Sequence, residues 1–205
     1  MKIKTIYYKG GQKKIKEIGP VDENGRKNGI WQMFNIYDER LINIVEYKNN
    51  KKVGEETTFD NNGKVRCITN YVDGVEHGKK TKFYRTGGKS LECNFVNGQL
   101  HGDKIEYDTH GGTHSIVKYE NGLAQGEAIQ FFYSGNLHMK IYFHKGKKHG
   151  EAIYYHRDGE TIAKRYHYKM GVLHGITEIF DKNGNIKQTR FYENGAIESE
   201  EFNYN

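Results

Sequence analysis

The sequence has very little proline and cysteine and no long apolar run. Its 205 residues include one proline and two cysteines, Cys67 and Cys93. Two cysteines are too few for the disulfide framework of a small secreted domain. The apolar stretch at 41–45 is far shorter than the about 18 residues that a membrane helix requires. The first ten residues lack the apolar segment of a secretory signal, so we predict a cytoplasmic protein.

Aliphatic residues are also scarce, whereas glycine and tyrosine are abundant. Hydrophobic residues make up 35% of the chain, which has 25 glycines, 16 tyrosines and 10 phenylalanines. A chain this polar cannot fill a thick two-layer core, yet disordered chains are poor in aromatic residues. Many glycines and rings with almost no proline predict short strands joined by tight turns.

The net charge of +6 is unevenly distributed along the chain. Residues 1–100 carry 19 Lys or Arg against 12 Asp or Glu, whereas residues 101–205 carry 13 against 14. Both signs are mixed locally, which is typical of a solvated surface rather than of a strongly basic binding stripe.

An octapeptide with the pattern aromatic-x-Asn/Asp-Gly-x-x-His-Gly recurs along the chain. Clear copies occupy 71–78, 95–102, 119–126, 143–150 and 168–175, and weaker ones occupy 22–29, 47–54 and 192–199. Nine residues after most of the closing glycines comes another glycine, and the usual period is 24 residues. Asn-Gly pairs are strong hairpin signals, so each repeat predicts two strands and two turns. The repeats Gly29–Gly54 and Gly150–Gly175 hold one extra residue, which we expect as a β-bulge in the second strand.

Two series of rings recur at fixed positions in the repeat. If side chains alternate without interruption, both series lie on one apolar face of a continuous antiparallel sheet, with Ile105, Ile129, Ile153, Val45, Val117 and Ile141. The first series follows each closing glycine and the second precedes each Asn-Gly-type turn: Phe34, Phe59, Phe83, Tyr107, Phe131, Tyr155 and Phe180; Tyr47, Tyr71, Phe95, Tyr119, Phe143, Tyr168 and Tyr192.

These motifs resemble those of the MORN family in its bacterial variant, as in YwqK-type antitoxin proteins. The resemblance covers residues from about 20 to 199 and implies an all-β fold, an elongated single antiparallel sheet of about eight β-hairpin repeats. We predict a single repeat domain, 1–205, with an N-terminal cap or partial repeat at 1–21, repeats at 22–199 and a tail at 200–205. The resemblance also implies a non-catalytic scaffold for binding.

The chain has histidines and cysteines, but they lack the spacing that a metal site or a disulfide bond requires. The motif histidines, His77, His101, His149 and His174, recur about 10 Å apart in the predicted sheet, too far for one metal ion. We expect each imidazole to bond the backbone of its own turn. Cys67 and Cys93 fall on strands separated by a third, so we predict buried thiols. The sequence predicts no catalytic residues, no cofactor and no metal.

The face opposite the predicted apolar face becomes apolar in the second half of the chain. We predict a contiguous partner-binding patch there, formed by Phe132, Tyr142, Tyr154, His156, His167, Ile179 and Phe191. Burial of this face by a curl of the sheet or by a homodimer is the competing interpretation.

The function predicted from these features is protein binding, by an antitoxin or immunity protein that neutralises a cognate toxin. Two alternatives stay open. One is a scaffold at a membrane surface or envelope, and the other is a single-stranded nucleic acid binder that uses the lysines at 79, 80, 82 and 104.

Overall fold

The computed structural model describes residues 1–9 and 13–203 of the chain. These residues form nineteen β-strands and no helix, and the strand pairings are antiparallel, which confirms the predicted all-β class of hairpin repeats. Two compact units are present, Met1–Gln99 and Leu100–Asn205. The last strand continues to Phe202, beyond the predicted end of the repeats at 199, and residues 204 and 205 of the predicted tail lie outside the described residues.

The N-terminal unit consists of successive hairpins. Its strands are β1 (Lys2–Tyr7), β2 (Ile15–Val21), β3 (Gly29–Phe34), β4 (Leu41–Lys48), β5 (Lys51–Phe59), β6 (Val65–Val72), β7 (Val75–Phe83) and β8 (Lys89–Val96). The unit boundary lies within the short strand β9 (Gln99–Leu100).

The C-terminal unit repeats the same hairpin arrangement. Its strands are β10 (Gly102–Tyr107), β11 (Thr113–Glu120), β12 (Leu123–Phe131), β13 (Leu137–His144), β14 (Lys147–Tyr155), β15 (Ile162–Lys169), β16 (Val172–Leu173), β17 (Gly175–Phe180), β18 (Ile186–Glu193) and β19 (Ala196–Phe202).

The Asn-Gly-type positions form two-residue turns in which both residues have positive φ. Asp73 and Gly74 have φ values of 50° and 88°, and Asn121 and Gly122 have 49° and 80°. This is the type I′ geometry that suits the right-handed twist of a hairpin. The closing glycine has a different function. Gly126 has a φ of 85° and lies where the pairing of β11 with β12 is interrupted, so it is a bulge residue.

The extra residue of the two longer repeats lies in a loop, so its predicted location in a strand was wrong. In the usual repeat, the Phe132 N–H donates to the carbonyl of Asn136, four residues on. In the longer repeat, the His156 N–H donates to the carbonyl of Thr161, five residues on. One more loop residue costs little closure entropy, whereas one more strand residue reverses every side chain beyond it.

The prediction that both ring series share one face was also wrong. In the C-terminal unit, Val117, Ala128, Ile141 and Ala152 oppose one another in turn on one face, which we call the alanine face. Ile129 opposes Ile116 and Lys140, so it lies on the other face. We call that face the glutamate face, because it carries Glu127, Glu151 and Glu178.

The two ring series follow this division. Alternation along β13 places Phe143 with Ile141 on the alanine face, and alternation along β12 places Phe131 with Ile129 on the glutamate face. The register shifts by one residue beside Phe131, where Gln130 opposes Met139 but Phe131 opposes Leu137. This bulge recurs at the equivalent ring of the other repeats, and it breaks the uninterrupted alternation on which the prediction depended.

The core of the N-terminal unit is built around Trp31, which is fully buried together with Val45. The indole packs edge-on against Tyr47 with ring centroids 6.4 Å apart, and its N–H donates to the carbonyl of Pro20 at 2.9 Å. Directly opposed residues extend this face, which we call the tryptophan face: Trp31, Val45, Glu56, Thr69, Lys80 and Cys93.

Candidate functional site

The seven residues of the predicted patch do not share a face. Tyr154 and Ile179 lie on the alanine face, where they oppose Met139 and Lys164. The other face carries Tyr142 opposite Glu127, His167 opposite Glu151 and Phe191 opposite Ile176. The expectation of one contiguous patch was therefore wrong, and the cause is the same bulge that separates the ring series.

Phe132 and His156 occupy the first position of the loops that join paired strands. In other repeats this position holds Asp60, Asp108 or Asp181. The imidazole Nε2 of His156 is enclosed and has no hydrogen-bond partner within the described residues. Phe132 stacks on His138, which connects it to the alanine face.

A chain of five aromatic side chains runs across β12 to β15, and we call it the ring ladder. Neighbouring centroids are 4.2 Å apart for Phe132 and His138, 6.3 Å for His138 and Tyr154, 5.7 Å for Tyr154 and Tyr166, and 6.4 Å for Tyr166 and Tyr168. Each member is half-buried. The ring ladder therefore presents aromatic edges and faces to solvent on a preformed sheet, beside the exposed Tyr133.

Burial and proximity change the acid–base properties of the ring ladder. Burial, together with the neighbouring Tyr166, raises the pKa of Tyr154 above its ordinary value. Burial also raises the pKa of Tyr168, with smaller contributions from Tyr154 and Tyr166. These phenols consequently stay neutral over the physiological pH range and can donate hydrogen bonds to a partner.

Sequence reasoning missed His138 and Tyr166 as members of this surface. His138 is the residue that the register shift skips, so strict alternation gives it no reliable face. Tyr166 opposes Ala152 across β14 and β15. The recurring bulge, had it been located from the sequence, would have placed Tyr166 with Tyr154.

A cation lies over a ring at five places in the described chain. Lys27, Lys52 and Lys80 do so on the tryptophan face, Lys148 lies over Tyr168 on the alanine face, and Arg165 lies over Phe180 on the glutamate face. Such contacts stabilise the cation most when it is partly desolvated. They also direct these side chains along the sheet surface.

One of these arrangements centres on Glu56, which is 8% exposed. Its carboxylate accepts hydrogen bonds from Lys52 at 2.6 Å and from Asn43 at 2.7 Å. Burial alone would raise the pKa of Glu56, but bonds from Lys52, Asn43 and Tyr71 lower the pKa below its ordinary value. Burial and the Glu56 carboxylate in turn raise the pKa of Tyr71.

Two of the motif histidines bond the backbone of the following repeat, not of their own turn as predicted. The His77 Nδ1 atom accepts from the Asn97 N–H at 3.4 Å, and the His149 Nδ1 atom accepts from the Met170 N–H at 3.4 Å. Gln125 occupies the same motif position, and its Oε1 atom accepts from the Lys145 N–H at 2.9 Å. These side chains therefore link successive turns.

Metal and thiol chemistry have little support. Within residues 1–9 and 13–203, no cluster of three or more His, Cys, Asp and Glu side chains could hold a metal ion. Cys93 is buried and Cys67 is half-buried, with its Sγ 3.4 Å from the Thr69 hydroxyl. The prediction of a buried thiol is thus confirmed for Cys93 and wrong for Cys67.

Three segments of the chain match the model of the family described as MORN repeat variant: residues 52–73, 173–194 and 187–205. Residues 173–194 include the whole hairpin of β17 and β18, and the three segments agree with the repeat pattern of the sequence. No curated protein matches the chain at a significant level.

A porin-like protein from Bacteroides uniformis, known from a crystal structure, aligns over 90% of this chain and 86% of its own. The two share 13% sequence identity, with a TM-score of 0.24. Separately, no helix in the described part of the chain is long and apolar enough to cross a membrane.

Proposed function

We propose that this protein is a non-catalytic repeat scaffold in the cytoplasm that binds a partner protein through the ring ladder. The observation that carries the proposal is the ladder itself, in which Phe132, His138, Tyr154, Tyr166 and Tyr168 are in contact but half-exposed. Tyrosine is enriched in protein interfaces because it gives a large contact area at a low cost in conformational entropy. A preformed sheet also loses little order on binding.

The finer assignment within this proposal is an antitoxin or immunity protein whose partner is a toxin. The repeat pattern supports it, because it resembles that of YwqK-type antitoxin proteins and matches the MORN repeat variant model in three segments. This assignment predicts a 1:1 complex with the toxin that requires neither lipid nor nucleic acid. The alternative of a homodimer predicts a concentration-dependent mass for the protein alone.

The ion pairs of Lys79, Lys80 and Lys104 favour a protein partner over a nucleic acid or a membrane surface. Lys79 pairs with Glu92 at 2.5 Å, Lys80 with Glu76 at 2.6 Å, and Lys104 with Glu106 at 2.7 Å. Lysines that are already neutralised release few counterions from a phosphate backbone or an anionic membrane.

The test is a binding measurement with the product of the adjacent gene. We expect a 1:1 complex by calorimetry, and we expect Tyr133→Ala and Tyr154→Ala to weaken it at least about tenfold, as truncation of an interface aromatic does. Tyr37→Ala is the matched control, because Tyr37 is 86% exposed and Tyr133 is 79% exposed. Equal losses for Tyr37→Ala and Tyr133→Ala, with unchanged melting, would contradict a binding site on the ring ladder.

A further inference from the structure

Four of the five cations that lie over rings are also neutralised by a carboxylate. On the tryptophan face the partners are Glu17, Glu56 and Glu76, which pair with Lys27, Lys52 and Lys80. On the glutamate face, Arg165 pairs with Glu178 at 2.8 Å and with Glu151 at 2.9 Å. In this protein, a cation that lies over a ring thus normally also forms an ion pair with a carboxylate.

Lys148 is the exception. Its Nζ atom lies 5.1 Å from the centroid of Tyr168, and no carboxylate of the described chain pairs with it within 4 Å. The reason lies in the repeat. Lys52 and Glu56 are two residues before and two after the bulge glycine at 54, and the equivalent positions around Gly150 hold Lys148 and Ala152.

The charges of the surrounding strands are divided between the two faces. Glu127, Glu151 and Glu178 supply all the acidic residues of β12 to β17, and the three lie on the glutamate face. The alanine face of these strands carries Lys148, Lys164 and the ring ladder. Like Lys148, Lys164 has no ion-pair partner within the described residues.

We propose that the ring ladder binds an acidic segment of the partner protein, and that one carboxylate of this segment pairs with Lys148 beside Tyr168. The inference rests on the proposed function and names the chemistry of the partner. We expect a carboxylate to pair with Lys148 because the equivalent lysine in the N-terminal unit, Lys52, forms an ion pair with the carboxylate of Glu56. A polyanion such as nucleic acid is not favoured, because the alanine face of β12 to β17 offers two lysines, Lys148 and Lys164, whereas binding to a phosphate backbone depends on several cations.

The experiment measures fluorescence anisotropy of a labelled peptide of alternating glutamate and glycine titrated with the full chain. Lys148→Gln removes the cation, and Ala152→Glu supplies the missing carboxylate from within the chain. We expect each to weaken peptide binding about tenfold, as loss of one charge pair in an interface does. Lys147→Gln is the matched control, because it removes an exposed charge from the adjacent residue, and we expect it to leave binding within about twofold.

An oligothymidylate is a further probe, which distinguishes a carboxylate ligand from a phosphate ligand. The inference is overturned if the glutamate peptide does not bind at about millimolar concentration, or if Lys147→Gln and Lys148→Gln weaken binding equally. Tighter binding of the oligothymidylate with the same dependence on Lys148 overturns it in favour of a phosphate ligand. Because Ala152 is buried, thermal melting checks that the Ala152→Glu variant folds. If it does not fold, the result for Lys148→Gln decides alone. Partner binding that depends on Tyr154 but not on Lys148 overturns this inference alone and leaves the proposed function intact.

Discussion

Lys52 pairs with Glu56 across the bulge glycine at 54, with 2.6 Å between Nζ and Oε1. The next repeat builds the same ion pair with the charges exchanged, since Glu76 precedes its bulge glycine and Lys80 follows it. The geometry of the site therefore accepts either order of charge.

This exchange predicts the behaviour of a charge-swapped variant. Lys52→Glu and Glu56→Lys should each destabilise the fold by about 3–5 kcal/mol, because each leaves two like charges in a buried position. The double variant K52E/E56K should recover most of the loss, as Lys80 and Glu76 do naturally. Urea denaturation of the three variants checks this, and a double variant less stable than both single variants would contradict it.

The link between successive turns can be tested at His77. His77→Ala removes the acceptor of the Asn97 N–H and should cost about 0.5–1.5 kcal/mol. His77→Gln should cost less, because Gln125 performs the same function at the equivalent position. Denaturant midpoints compare the two substitutions. Equal losses for both would show that the hydrogen bond does not contribute.

The space above Gly19 sets a steric limit on the core. A Cβ atom at this position would lie 2.5 Å from Cγ of Trp31. We expect Gly19→Ala to destabilise the N-terminal unit by about 1–3 kcal/mol through displacement of the ring. The emission of Trp31, the only tryptophan, should shift to longer wavelength. Gly88→Ala is the control, since nothing lies within 4 Å of its added Cβ, and a shift there as well would contradict the argument.

The loop aspartates predict a loss of stability in acid. Asp60, Asp108 and Asp181 each accept two backbone N–H bonds in their loops, and these bonds lower the pKa of each carboxyl. Because the folded pKa lies below the ordinary value of about 3.9, this stabilisation is complete above that pH and is lost as the pH falls below it.

The measurement is the difference in urea midpoint between about pH 7 and about pH 3. In the triple variant Asp60→Asn, Asp108→Asn and Asp181→Asn the difference should shrink, because asparagine accepts the same bonds without a charge. Asp103→Asn, on strand β10, is the control. If the triple variant and the control have equal acid sensitivity, other carboxyl groups cause the loss.

The repeat was visible in the sequence because it depends on local backbone conformation. Glycines with positive φ and Asn-Gly turns specify the hairpins regardless of their surroundings, and positions such as Gly74 and Gly126 behave as expected. The faces depend on register instead. A single shift beside Phe131 exchanges the two sides of the next strand, and no residue type near it marks the shift. The seven residues of the predicted patch are divided between the faces for that reason, although Phe132 and Tyr154 both lie in the ring ladder.

The glycine of each type I′ turn donates its N–H to a carbonyl of the preceding hairpin, as Gly146 does to Ala124 at 2.8 Å and Gly195 does to Leu173 at 2.9 Å. Successive hairpins are thus joined by the same backbone hydrogen bond, which does not involve their side chains. A duplicated or deleted block of 24 residues would keep this backbone hydrogen bond at each new junction. The length of this protein can therefore change in whole repeats without loss of that backbone contact.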